Sequence, residues 1–181
     1  MMWTARSRPS AILGRRSAVA LILMGAAGVA SADLASDSGK LAQIDSLIKA
    51  FEPRFNVTQV DAETVQLWLR EQRAILVDVR EPKEMAVSMV PGAISQSQFE
   101  SNPALYQGKR LIAYCTIGFR SSKFAEQWTR RGVAIDNLRG GMLLWAHAQG
   151  PMVDARMQAT RRVHVYGASW DLLPRAYKSV Y

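Results

Sequence analysis

The sequence predicts an α/β domain: a parallel sheet of about five strands with helices on both faces. Three observations lead there. Apolar runs of strand length alternate with segments of helical period along residues 56–150, and such alternation assembles into a parallel sheet covered by crossover helices. The links between these segments are short. Residues 111–131 then pass from a buried-strand pattern through a tight loop into a helix with no spare residue between them.

Taken in order, residues 1–32 read as a secretory signal. The basic region ends in Arg15-Arg16, an apolar stretch covers 18–29, and Ala30-Ser31-Ala32 is a small-residue cleavage site. The twelve residues of that stretch are too few to span a bilayer, which takes about 20. The expectation is a mature chain starting at Asp33, periplasmic or secreted, with no stable membrane anchor after cleavage. The arginine pair is compatible with general secretion and with the twin-arginine route. Residues 33–40 are small and polar, the composition of a linker. Leu41, Ile44, Leu47, Ile48 and Phe51 share one helix face, closed off by Pro53. Residues 33–55 thus read as a linker and an N-terminal helix on the flank of the main domain, residues 56–150.

Within that domain, residues 56–60 form a short first strand. Asp61 caps a helix carrying Val65, Leu67, Trp68 and Leu69. The apolar run 74–79 is a strand buried on both faces. Glu81-Pro82 opens a short helix, proline being favoured in a first turn. Pro91-Gly92 is a turn, and the third strand begins at Ala93-Ile94. Residues 95–108 are polar and loop-like, with a short helix at 103–106. The fourth strand leads into Cys115, and residues 122–131 carry Phe124, Ala125 and Trp128 at helical spacing. Gly132 ends that helix, 133–138 form strand five, and Gly140-Gly141 opens a last helix over 142–148. Residues 151–181 hold a strand-like run, Val163-His164-Val165-Tyr166, and the aromatics Trp170, Tyr177 and Tyr181. This segment is too apolar for a disordered tail and is expected to pack on the domain as an aromatic extension.

Composition narrows the function. The formal charge of +8 is inflated by four arginines in the first 32 residues, beyond which 19 basic residues stand against 15 acidic ones. That balance, with no Lys/Arg run longer than two, gives no footprint for nucleic acid. The single cysteine excludes an intramolecular disulfide and a resolving partner thiol. One Cys and two scattered His residues, His147 and His164, make no metal site, and no cofactor is implied.

The chemistry gathers at Tyr114-Cys115-Thr116-Ile117-Gly118-Phe119-Arg120-Ser121. Backbone N–H groups of a tight loop at a helix start point inward and bind anions. A cysteine at the mouth of such a loop is favoured as the reactive thiolate by those N–H groups, the helix dipole and the nearby Arg120. In open parallel sheets ligands bind beyond the carboxyl ends of strands, which is where Cys115 falls.

The pattern Tyr-Cys-x-x-Gly-x-Arg-Ser resembles the active loop of single-domain rhodaneses, sulfurtransferases that carry sulfur as a cysteine persulfide. Further motifs follow in that family's order: Val77-Asp78-Val79-Arg80-Glu81-Pro82 with Glu84, then Val90-Pro91-Gly92-Ala93-Ile94, then Leu138-Arg139-Gly140-Gly141 with Trp145. The resemblance covers residues 56–150 and implies the family's three-layer α/β fold. It implies Cys115 as the catalytic nucleophile, taking the outer sulfur of thiosulfate or a related anionic donor and passing it to cyanide, a small thiol or a protein thiol. Thr116, Ile117, Gly118, Phe119, Arg120 and Ser121 would bind the substrate, through loop amides, the Arg120 cation and the Ser121 hydroxyl. Asp78 and Arg80 would lie near the loop and help hold it, or form a plain ion pair at a strand end. An exported persulfide carrier serving a protein partner is the second reading. Cysteine phosphatases and arsenate reductases have a comparable loop, but with six positions from Cys to Arg, against five from Cys115 to Arg120. Tyr114 also stands where the rhodanese family's phosphatase relatives carry His. The rhodanese family itself often has Gly-His-Ile just before the Pro-Gly turn, where this chain has Ser88-Met89-Val90.

Overall fold

The computed structural model describes residues 36–181; the signal segment, its cleavage site and Asp33 lie outside them. Helix α1 (Asp37–Phe51) starts at Ser36, whose Oγ accepts the Gly39 N–H at 3.0 Å. The polar stretch expected as a linker therefore already belongs to a helix from Asp37 onward: a serine cap and an acidic first-turn residue favour helix even in small polar sequence. Strand β1 (Gln59–Val60) and helix α2 (Ala62–Arg70) follow, with Asp61 capping through the Thr64 N–H at 2.7 Å. Then come β2 (Ala74–Asp78), α3 (Pro82–Val87) and β3 (Ile94–Ser95).

Residues 95–108 are not the loop their polarity predicts. Gln96–Ser101 form helix α4, started by a reciprocal box in which Ser95 Oγ accepts the Gln98 N–H and Gln98 returns to the Ser95 N–H. Ser-x-x-Gln is the sequence signal for that box. The short helix expected at Pro103–Tyr106 is a 3-10 helix. Strand β4 (Arg110–Tyr114), helix α5 (Phe119–Thr129), strand β5 (Ile135–Leu138) and helix α6 (Gly141–His147) complete the alternation.

The five strands form one parallel sheet in the order β1-β5-β4-β2-β3, with β4 at its centre. Period-two alternation divides each central strand between two cores. Leu111, Ala113 and Cys115 face one core with Phe99 of α4 and Phe124 and Ala125 of α5. Ile112 and Tyr114 face the other, with Ile44 and Ile48 of α1, Val65 of α2 and Met142, Leu143 and Trp145 of α6. The chain is thus a three-layer α/β structure.

The C-terminal segment enters the second core. Met152, Val163, Val165, Leu172 and Leu173 are all buried there. The strand-like run becomes β6 (Arg162–His164), paired in parallel with β7 (Lys178–Val180) as a separate two-stranded sheet. Contacts with α1 tie both ends of the described chain together: Lys40 Nζ donates to the Leu173 carbonyl at 2.7 Å, and the Arg175 N–H to Asp37 at 3.0 Å.

Candidate active site

Cys115 follows the last residue of β4, at the carboxyl end of the sheet's central strand. Its side chain is buried, 1% exposed, and not at a solvent-facing mouth as its position had implied. The register of β4 explains this, because Cys115 continues the alternation of Leu111 and Ala113 into the core beneath the loop. Its Sγ accepts a hydrogen bond from the Gly118 N–H at 3.2 Å. Gly118 has φ of +102°, a left-handed conformation suited to glycine, and caps α5.

The helix begins at Phe119, three residues earlier than the apolar spacing indicated, so Arg120 and Ser121 lie in its first turn. The Ser122 N–H is bonded to the Gly118 carbonyl, which leaves the amides of Phe119, Arg120 and Ser121 at the positive end of the helix dipole. Ser121 Oγ is buried and makes no hydrogen bond among the described residues. Ile117 turns its side chain into the apolar core, so only its backbone belongs to the loop surface. Phe119 is 41% exposed and sits edge-on to Phe51 and Phe55, with ring centroids 5.5 and 5.3 Å away.

Arg120 has a partner that the sequence reading left out of the site. Its Nη1 and Nη2 donate to the two oxygens of Glu84, each at 2.8 Å. Thr116 Oγ1 donates to Glu84 Oε1 at 3.1 Å. Glu84 is 1% exposed. It also accepts the Glu81 N–H at 2.9 Å, closing the capping box of α3. Burial pushes its carboxyl up, but the Arg120 bonds, the Glu81 N–H and the charges of Arg120 and Arg80 prevail and hold it below its ordinary 4.5. Burial works against the Arg120 cation as well, and the Glu84 bond with the charges of Cys115 and Glu84 more than restores it. A bidentate guanidinium–carboxylate pair is among the strongest protein hydrogen-bond arrangements. Here it ties the loop to α3.

Asp78 and Arg80 form a separate, fully buried pair below. Arg80 Nε and Nη2 donate to Asp78 at 2.9 and 2.7 Å, and Nη2 reaches the Ser88 carbonyl at 2.6 Å. Desolvation would lower the Arg80 pKa, yet Asp78 keeps it above the usual arginine value. Tyr114, also fully buried, lies beneath that guanidinium, 5.4 Å from Cζ to ring centroid, and its hydroxyl accepts the Val90 N–H at 3.3 Å. Asp78, Arg80 and Tyr114 therefore fix the segment around Ser88 and Val90.

The other side of the loop is held by α6. The Met142 N–H donates to the Cys115 carbonyl at 2.9 Å and the Leu143 N–H to the Thr116 carbonyl at 3.1 Å. A Cβ on Gly141 would overlap the Cys115 carbonyl, which is the physical need behind the Gly-Gly pair. Of the two histidines, His147 Nε2 pairs with the Leu172 carbonyl at 2.9 Å, and His164 stands in β6. Among the described residues no group of three metal-ligating side chains occurs.

A strand-loop-helix that holds one cysteine at the end of the central strand, braced by α3 and α6, is the centre of the candidate site in this three-layer α/β domain. The sequence profile of the rhodanese-like domain matches residues 61–148, and the chain belongs to that family. A protein of Allochromatium vinosum named sulfurtransferase is 30% identical over 103 residues, covering 54% of this chain and 95% of its own length. An uncharacterized Synechocystis protein is 33% identical over 121 residues, covering 63% of this chain and 67% of its own. Among solved structures, thiosulfate sulfurtransferase from Pseudomonas aeruginosa superposes with a TM-score of 0.51 at 22% identity. It matches 75% of this chain, which spans 26% of that longer one, and the likeness is one of fold.

Proposed function

We propose that the protein is a sulfurtransferase that carries sulfane sulfur on Cys115, from thiosulfate or a related donor to a thiol or cyanide. The observation that carries this reading is the setting of the chain's single cysteine: Sγ under a loop amide at 3.2 Å, at the N-terminus of α5. Membership of the rhodanese-like family and the sulfurtransferase name of a relative support it. The Cys115 thiolate attacks the donor's outer sulfur. A Cys–S–S bond forms, the donor's S–S bond breaks, and sulfite leaves with the electron pair. The acceptor then takes the outer sulfur and regenerates the thiolate. The loop amides and the Ser121 hydroxyl are the groups placed to receive the charge of thiolate, persulfide and donor.

Intact mass after incubation with thiosulfate tests the proposal. One added sulfur on wild type and none on Cys115→Ser is the expected result. An unmodified wild type defeats the reading.

The burial of Cys115 and the engagement of Arg120 by Glu84 favour one alternative, a persulfide carrier that is loaded and unloaded by protein partners. Sulfur loading without turnover of thiosulfate and cyanide identifies that case. Phosphatase or arsenate reductase chemistry needs a free arginine fork for a tetrahedral oxyanion, and the fork of Arg120 is occupied. Export remains part of the proposal. N-terminal sequencing of the native protein should begin at Asp33, and a retained Met1 or Met2 in a cytoplasmic fraction overturns it.

A further inference from the structure

Two aromatic groups from outside the family match flank the active loop. Phe51 and Phe55 contact Phe119, and Tyr166, just after β6, lies over Arg120. The Arg120 Cζ is 5.0 Å from the Tyr166 ring centroid. Tyr166 is braced in turn by Trp170, edge-on at 6.3 Å. Both Phe119 and Tyr166 leave apolar surface in solvent, 41% and 51% exposed, beside a sulfur that is buried. Aromatic rings left in solvent beside a reactive site offer apolar contact area to a ligand's organic group.

The guanidinium of Arg120 is engaged on two sides, although its side chain remains 29% exposed. Glu84 takes its fork and balances its charge, and Tyr166 covers a face. Burial raises the Tyr166 phenol to about 12, with Arg120 opposing and Glu84, Cys115 and Glu81 adding to the rise. At neutral pH the ring is therefore an uncharged cover. An arginine held this way meets a dianion with its fork taken and its charge already balanced.

Two donors of the same reaction ask different things of such a site. Thiosulfate is a dianion with three sulfonate oxygens. A thiosulfonate, R–SO2–S−, carries one charge and an organic group in place of the third oxygen. With either donor the Cys115 thiolate forms a bond to the outer sulfur, the donor's S–S bond breaks, and sulfite or sulfinate departs with the electron pair. No outside oxidant or reductant is needed.

We propose that Tyr166 is a specificity-determining residue that covers Arg120 and turns the loop toward thiosulfonates, whose organic group meets the aromatic rim, and away from thiosulfate. The proposal rests on the reading of Cys115 as the sulfur-carrying nucleophile.

The test compares kcat/KM for benzenethiosulfonate and thiosulfate, with cyanide as acceptor, in wild type, Tyr166→Phe and Tyr166→Ala. Removing the ring should shift the donor ratio toward thiosulfate by about two- to five-fold, the size of an exposed cation–π contact, with the change in KM. Tyr166→Phe keeps the ring and should keep the wild-type ratio. A ratio unchanged in Tyr166→Ala, including equal losses for both donors, overturns the proposal. So does a Tyr166→Phe variant that shifts as far as the alanine, because the hydroxyl and not the ring would then discriminate. A wild type that turns over neither donor and gains no sulfur by intact mass defeats the sulfurtransferase reading itself, and the role of Tyr166 with it. Normal loading with an unmoved ratio defeats the role of Tyr166 alone.

Discussion

At the scale of single residues, the site depends on how buried polar groups are paired. Cys115→Ser keeps a small acceptor for the Gly118 N–H, so thermal melting should match wild type while sulfur loading disappears. Arg120→Ala is not a clean removal of a surface cation, because it strands the buried Glu84 carboxylate. Asp78→Asn removes the countercharge of a guanidinium that is shut off from solvent. Breaking one side of a buried pair costs about 3–5 kcal/mol, and urea titration should show a loss of that size. Glu84 links structure to pH. Its carboxyl is held below 4.5 in the folded chain, so it adds stability fully above that value and loses it as pH falls through the depressed folded value. Glu84→Gln should lower stability at pH 7 by about 1.5–3 kcal/mol, the worth of a charge-assisted bond. It should also flatten the fall in stability below pH 4.5, measured by denaturant titration across that range. An acid limb as steep as in wild type would show that Glu84 is not its source.

At the scale of elements, the active loop is braced on two sides. Helix α3 reaches it through Glu84, and α6 through the Met142 and Leu143 amides on the Cys115 and Thr116 carbonyls. Helix α6 can come this close because Gly140 and Gly141 both have left-handed backbone, with φ of +70° and +51°. Left-handed backbone alone costs an L-residue about 1–2 kcal/mol. A methyl at 141 also overlaps the carbonyl of Cys115 itself. Gly141→Ala should therefore lower Tm and slow sulfur loading together, as the loop and α6 move apart. A variant that melts like wild type and loads at the wild-type rate would show that the loop does not need this close approach.

At the scale of the whole molecule, the segments on either side of the family match complete one core. Ile44 and Ile48 of α1 meet Leu172, Leu173, Val163 and Val165 from the C-terminal segment against α6 and the sheet. Lys40 and Asp37 bond directly to that segment. Leu173 is 1% exposed, and Leu173→Ala should cost about 2–5 kcal/mol by creating a cavity. Removal of residues 151–181 should abolish cooperative unfolding, read by calorimetry. A shortened chain that still melts sharply near the wild-type Tm would show that the C-terminal segment is an appendage and not part of the core.

Local signals were enough to make the sheet, its order of elements and the place of Cys115 at the end of the central strand legible. Apolar runs of strand length, the Asp61 cap, the Gly-Gly pair and the short links each act within a few residues, where sequence neighbours are also spatial neighbours. The motif around Cys115 likewise sits within one strand-loop-helix unit. Helix α4 was legible too, through Ser95 and Gln98, but polar composition concealed it. What only the tertiary structure decided are pairings across long stretches of chain. Glu84 meets Arg120 36 positions away, Arg139 meets Asp45 across 94, and Lys40 meets Leu173 across 133. The parallel pairing of β6 with β7 and the place of Tyr166 over Arg120 belong with these. A charged residue in sequence does not name its partner, because any opposite charge serves and only the closed fold brings one within 3 Å. For the same reason Arg120 reads as a free cation in the sequence and stands in the fold as half of an ion pair, with its fork turned to Glu84.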